Sequence, residues 1–327
     1  MEQIIATLFA NPITLALVIV LGFVILLLGA EGLVDGASSL AKRLGVSDLM
    51  IGLTIVAFGT SMPEFVVNMF SVVNNATDLA ITNVLGSNII NTLVILGCSA
   101  LVYPIAVQRS TIRLDLPINI LAGLVVFLFV FLTAATAAER SLSRLEGMVL
   151  LLIFVGFLFY SIRTAKDDVQ TTTSAIVPIW KCIVFIVLGL VGLILGGEMI
   201  VRGATTVAQR LGIAESVIGL TVVALGTSLP ELATSVIAAF KRNSDIAIGN
   251  VVGSNIFNVF FILGTSAAIR PLPVYDGIVL DSIMVTLSAG LVWMGAASNN
   301  AHQLKRLHGA VLLIVYAAYL TYRLMHC

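Results

Sequence analysis

The chain has 327 residues, 59% hydrophobic and only 10% charged, with 17 basic and 17 acidic side chains in balance. About a quarter of a soluble globular chain is charged, so this one cannot cover itself with polar surface and is read as an all-α membrane protein. Zero net charge argues against a nucleic-acid partner, and three scattered cysteines (Cys98, Cys182, Cys327) without a CxxC argue against a disulfide framework or a thiolate metal cage.

In chain order, apolar runs near the ~20 residues that cross a bilayer fall at 13–37, 49–74, 79–102, 116–138, 145–162, 179–204, 216–240, 245–268, 277–297 and 307–325. The N-terminus, Met1 to Val20, has no basic region and no small-residue cleavage site, so it is read as part of a spanning helix rather than a leader. The longest polar connection, Arg163 to Pro178, falls halfway. The expected organisation is a first five-helix unit over 1–162, a linker over 163–178, and a second five-helix unit over 179–327. Eleven of the seventeen basic residues, among them Lys42, Arg43, Arg163, Lys166 and Lys241, fall in the connections after odd-numbered spans. The excess places those connections in the cytoplasm and both termini outside a plasma (inner) membrane.

A shift of 167 residues lays Gly52–Gly97 over Gly219–Gly264, and the match extends upstream to pair Glu31 with Glu198. The chain therefore reads as two copies of one unit. Because each has five helices, the second enters the membrane from the opposite side. This is an inverted repeat of ten helices, with broken helices and a binding site at the midplane.

The best-matched stretches are polar. GLTIVAFGTSMPEFVVN and GLTVVALGTSLPELATS place Glu64 and Glu231 inside long apolar runs. A carboxylate at mid-bilayer costs about 2.5–3.5 kcal/mol on insertion scales, so each must be protonated, paired or holding a cation. Pro63 and Pro230 break the helices and release carbonyls near Ala57, Gly59 and Thr60 and their counterparts Ala224, Gly226 and Thr227. The alternative for Ser61-x-x-Glu64 and Ser228-x-x-Glu231 is a helix-capping box. NVLGSNIINTLVILG and NVVGSNIFNVFFILG follow, placing Asn83, Ser87 and Asn91, and then Asn250, Ser254 and Asn258, on one helix face. The alternative there is interhelical hydrogen bonding. Asn88 and Asn255 point elsewhere and are read as packing residues. Carboxylates, hydroxyls, amides and carbonyls are hard oxygen donors suited to calcium, sodium or magnesium, and two carboxylates with two carbonyls give about six ligands, within calcium's range. Glu31 and Glu198 read as interfacial or packing residues. His302, His308 and His326 form no central metal site or proton relay.

The paired GTSMPE and GTSLPE, each followed by GSNIIN or GSNIFN, resemble the two alpha-repeats of the cation/calcium exchanger superfamily, above all its compact prokaryotic sodium/calcium exchangers. The resemblance covers essentially the whole chain. It implies ten helices in two inverted halves, exchanging cytosolic calcium for sodium by alternating access. It further implies that Glu64 and Glu231 bind calcium and sodium in turn and that Ala57, Thr60, Ala224 and Thr227 contribute carbonyls. Ser61, Ser87, Ser228 and Ser254 would line sodium sites, Asn91 and Asn258 would lie at the centre, and spans 1 and 6 would slide as a gate. The partners implied are calcium, sodium and membrane lipid, with no tightly bound cofactor, no obligate protein partner and no enzymatic activity. Some relatives carry an aspartate at one of the two central asparagine positions; both are amides here, which leaves stoichiometry and potassium involvement open. The rival readings are a proton/calcium or potassium-dependent sodium/calcium antiporter, a channel, and an intramembrane protease using Asp276.

Overall fold

The computed structural model describes residues 11–74, 77–136, 141–164, 177–212, 224–275, 277–298 and 300–325. Its helices are α1 (Pro12–Leu44), α2 (Asp48–Thr60), α3 (Met62–Val73), α4 (Ala80–Val102), α5 (Thr111–Phe131), α6 (Arg144–Thr164), α7 (Ile179–Arg210), α8 (Ala224–Thr227), α9 (Leu229–Phe240), α10 (Ser244–Ile269), α11 (Ile278–Ala297) and α12 (Arg306–Met325). Among the described residues eight helices are long and apolar enough to cross a bilayer, and α2 with α3, bent by 45°, makes a ninth when the pair counts as one span. The expected tenth span, 216–240, comprises α8 and α9 together with residues 216–223, which lie outside the described residues. So do most of the 163–178 linker, Asp276 and His326.

Helix α1 starts where Asn11 Oδ1 accepts the Ile13 N–H at 2.9 Å and ends at Gly45, whose φ of 64° turns its N–H back onto the Ala41 and Lys42 carbonyls. With 33 residues it is about 50 Å long, well beyond the ~30 Å hydrocarbon core. It runs seven residues past the expected end at 37, and α7 runs six past 204. Polarity in "GASSLAKRL" marks the end of the apolar run but not of the helix, because Leu40 and Ala41 remain buried. The two long helices pack backbone to backbone. A Cβ on Gly29 would lie 2.7 Å from the Leu193 nitrogen, and one on Gly189 would lie 2.6 Å from the Leu33 nitrogen. Small residues permit this approach, which is how helices associate where lipid removes the hydrophobic drive.

The centre of the molecule is α4 and α10. Every residue from Ile246 to Phe260 is buried, so over that stretch α10 has no lipid face and its polar side chains must find partners in protein. Both central helices widen into π turns, at Asn91–Ile95 and Phe257–Leu263, a distortion common at functional sites.

Two short antiparallel ribbons tie the copies together. Strands β1 (Ile105–Ala106) and β4 (Gln303–Leu304) pair, with Ile105 opposite Leu304; β2 (Ser141–Leu142) and β3 (Leu272–Pro273) pair, with Leu142 opposite Leu272. The first ribbon joins the strand after α4 to the strand before α12. The second joins the strand before α6 to the strand after α10. Each ribbon is thus the other with the copies exchanged.

Candidate functional site

The helix breaks fall at equivalent residues. Ser61 ends α2 with φ −82° and ψ 6°, and Ser228 ends α8 with φ −88° and ψ 5°. Pro63 and Pro230 sit in the first turn of the helices that follow, where a missing N–H has no partner to lose. Glu64 and Glu231 occupy the same turns, at the positive ends of α3 and α9. The orientation that proline alone suggests, a negative helix end aimed at the site, is therefore only half of the arrangement. The C-terminal ends of α2 and α8 and the N-terminal ends of α3 and α9 meet at the same breaks.

Both glutamates are fully buried. Ser61 Oγ donates to Glu231 Oε1 at 2.9 Å, and Ser228 Oγ donates to Glu64 Oε1 at 3.4 Å. The serine of each copy thus serves the glutamate of the other. Neither serine makes the side-chain cap bond that S-x-x-E permits. Ser143-x-x-Glu146 does: Glu146 Oε2 accepts the Ser143 N–H at 2.7 Å, and Ser143 Oγ accepts the Glu146 N–H at 3.3 Å. The capping alternative therefore fails for Glu64 and Glu231, and the same four-residue pattern has two physical uses in one chain.

Ser254 adds a second bond to Glu231 Oε1 at 3.4 Å. The Ala57 carbonyl accepts from the Ser61 N–H at 3.0 Å and from the Thr60 and Ser254 hydroxyls at 3.3 and 3.5 Å. Thr60 Oγ1 also donates to Asn250 Oδ1 at 3.0 Å. Thr227, with Ser228, faces Glu64, and Ala224 opens α8. Ser87 and Asn91 are buried on α4, and Asn258 on α10. Among the described residues, Glu64 Oε2, Glu231 Oε2, both amide atoms of Asn91 and Asn258 Oδ1 are buried without a hydrogen-bond partner. Buried polar atoms are almost always paired; of these five, the four oxygens, one on each carboxylate and one each on Asn91 and Asn258, are hard donors of the kind that suits a cation. No group of three or more His, Cys, Asp or Glu forms among the described residues; the two carboxylates are joined by neutral hydroxyl and amide oxygens.

The expectation that Asn83 and Asn250 line the same face is met unequally. Asn250 Nδ2 reaches Ser235 Oγ at 2.9 Å and the Glu231 carbonyl at 3.3 Å, whereas Asn83 Nδ2 donates to Asn68 Oδ1 at 2.7 Å. Asn68 itself donates to the Ala80 carbonyl at 3.1 Å. Asn68 and Ser235 are absent from the sequence-derived site. The signal for them is their position, four residues after each glutamate and so on its face. Outside this centre, Lys241 pairs with Asp35 at 2.5 Å and Glu31 at 3.6 Å, and Glu198 pairs with Arg202 of its own helix at 2.5 Å. A cavity of about 560 Å³ beside α7 runs from Glu198 and Val201 to Thr227, Pro63 and Pro230.

Comparison with known proteins gives the family. The family model described as sodium/calcium exchanger protein matches residues 14–163 and 181–325. CaxA, a candidate antiporter of Alkalimonas amylolytica, is 38% identical over 313 residues, covering 92% of this chain and 96% of that one. The sodium/calcium exchanger MaX1 of Methanosarcina acetivorans is 32% identical over 341 residues, covering 93% and 97%. The solved structure of the sodium-calcium exchanger NCX_Mj, soaked with sodium and strontium, superimposes with a TM-score of 0.79 at 30% identity, covering 95% and 99% of the two chains. The chain belongs to the sodium/calcium exchanger protein family of membrane cation antiporters.

Proposed function

We propose that this protein exchanges sodium for calcium across the plasma membrane by alternating access, with ten helices arranged as two inverted five-helix repeats. The observation that carries the reading is the reciprocal pair Ser61–Glu231 and Ser228–Glu64 with an unpaired oxygen on each carboxylate. Two buried carboxylates are neutralised by one divalent ion or by two monovalent ones, so one oxygen set accepts either load in turn. Glu64 and Glu231 are the shared ligands. Ala57, Thr60, Ala224 and Thr227 supply carbonyls, Ser61, Ser87, Ser228 and Ser254 line flanking sodium positions, and Asn91 and Asn258 complete the centre. The exchanged strands of the two ribbons support a two-fold relation between the copies, and with five helices in each expected unit such an axis would lie in the membrane plane.

The test is calcium uptake by purified protein in sodium-loaded liposomes, with the membrane potential clamped at either sign. Uptake that requires internal sodium and responds to the sign of the potential is expected, because exchange of more than two sodium ions per calcium moves net charge worth about 2.3 kcal/mol per 100 mV. Uptake indifferent to sodium but driven by a proton gradient selects the proton-coupled rival. The excess of basic residues after odd-numbered spans supports both termini outside and the 163–178 linker inside, so a cysteine replacing Thr172 should label only in opened cells.

A further inference from the structure

The two central asparagines differ in how they are held, and one sequence difference explains it. On α4, Asn88 Nδ2 donates to the main-chain carbonyl of Asn255 at 3.1 Å, and Asn88 Oδ1 accepts from Asn258 Nδ2 at 3.1 Å. A carbonyl can only accept, so it fixes which end of the Asn88 amide faces it. Asn88 must then present its oxygen to Asn258, and Asn258 must turn its nitrogen toward Asn88. That leaves Asn258 Oδ1 buried and unpaired, on the face of α10 where Ser254, one turn earlier, reaches Glu231. In the other copy the corresponding relay is interrupted. Asn255 Nδ2 donates instead to the Thr92 hydroxyl at 2.8 Å, and neither amide atom of Asn91 has a partner among the described residues. The position equivalent to Thr92 is Val259, which has no hydroxyl to divert Asn88.

We infer that Asn88 is a positioning residue which, through the Asn255 carbonyl, holds Asn258 with its amide oxygen toward the glutamate centre, making position 258 a fixed neutral oxygen donor, while Asn91 has no such support. The inference rests on the proposed ion site and deepens it. It also restricts what position 258 accepts: an ionised carboxylate there would face the Asn88 oxygen, and relieving that repulsion by turning Asn88 would break its bond to the Asn255 carbonyl.

The test is a double-mutant cycle on calcium uptake in sodium-loaded liposomes, read as KM and maximal rate, with calcium-dependent thermal stabilisation of the purified protein as a second readout. Asn258→Ala removes the oxygen, and Asn88→Ala removes only its orientation. Each is expected to raise the calcium KM about tenfold, the scale of one lost hydrogen-bonding group at a charge, with the maximal rate within about twofold of the parent and the calcium-induced stabilisation reduced. The double variant is expected to be no worse than Asn258→Ala alone, because the two residues act through one oxygen. If Asn88→Ala does not yield folded protein, Asn88→Ser carries the same cycle. An unchanged KM in Asn258→Ala refutes the placement of Asn258 in the ion site. An impaired Asn258→Ala beside an unaffected Asn88→Ala overturns the positioning role alone. So do losses that multiply in the double variant, or a fall in maximal rate at constant KM.

Discussion

The two copies agree at the glutamates and differ at the ends of the long helices. At one end of the molecule α1 is tied to the end of α9. Lys241 bridges Asp35 and Glu31, and Asn243 bonds Ser38 at 2.8 Å and Asp48 at 2.6 Å. The residues equivalent to Asp35 and Lys241 in the other copy are Arg202 and Asn74. Arg202 pairs with Glu198 within α7, and Asn74 donates to the Phe70 carbonyl of its own helix at 2.9 Å. Charge that crosses between helices in one copy is spent within a helix in the other. Beside α7 the 560 Å³ cavity reaches Thr227 and Pro230, and a second cavity of about 570 Å³ runs from Leu190 of the same helix to Gly59 and Met62 at the other break. The duplicated backbone plan thus keeps its buried carboxylates alike and lets the polar contacts at its helix ends diverge, which on the proposed alternating-access reading lets one side shut while the other opens.

The sharpest test of the shared part is at the carboxylates. Glu64→Gln and Glu231→Gln should each reduce calcium transport to background in liposomes, with little loss of folded protein. Glutamine keeps the shape and removes the penalty of a buried charge. Retention of parental exchange in either variant would contradict the equivalence of the two glutamates. The serines should show a graded version of the same effect. Ser61 holds Glu231 at 2.9 Å and Ser228 holds Glu64 at 3.4 Å, so Ser61→Ala should raise the calcium KM more than Ser228→Ala. The reverse order, measured in the same vesicles, would show that these distances do not rank the two contacts.

Much of this was legible in the sequence because a carboxylate inside an apolar run has few explanations and the same run occurs twice. The break positions and the buried glutamates follow from Gly-Thr-Ser-x-Pro-Glu read as helix chemistry. The ends of α1 and α7 do not follow, because a helix buried against another helix continues past the point where its composition turns polar. The ribbons do not follow either. Strand alternation is readable over four to eight residues, whereas these strands have two each and pair residues as distant as Ile105 and Leu304. The Asn88 relay depends on a main-chain carbonyl that every residue possesses, so only the fold distinguishes Asn255 as its source. The pattern Ser-x-x-Glu is ambiguous for the same reason: Ser143 caps its own helix and Ser61 crosses to another, and nothing within the four residues separates them.

That ambiguity yields a paired measurement of smaller size. Ser143→Ala should lower thermal stability by about 1 kcal/mol, the usual worth of an N-cap, and leave the calcium KM unchanged. Ser61→Ala should do the opposite, moving KM with little change in melting temperature. A loss of stability in Ser61→Ala equal to that in Ser143→Ala would restore capping as its role.

The smallest expected effect concerns the tie at Lys241. Its partners Asp35 and Glu31 are more than half exposed, and exposed ion pairs contribute about 0.2–1 kcal/mol. On the proposed alternating-access reading, α1 and α7, packed backbone to backbone at Gly29 and Gly189, move together, so freeing one end of α1 should shift the population away from the form with the cavity open beside α7. A reporter cysteine at Val201, which lines that cavity, in a background lacking Cys98, Cys182 and Cys327, reads this population as a labelling rate. Lys241→Gln should slow labelling by about two- to fivefold at low ionic strength, the factor that such a pair supports. The difference should narrow near 1 M salt, where the screening length falls to ~3 Å. Arg202→Gln should slow it less, since its bond lies within one helix and does not hold α7 against a neighbour. Equal labelling in parent and Lys241→Gln at low salt would show that the contact accompanies the closed end without maintaining it.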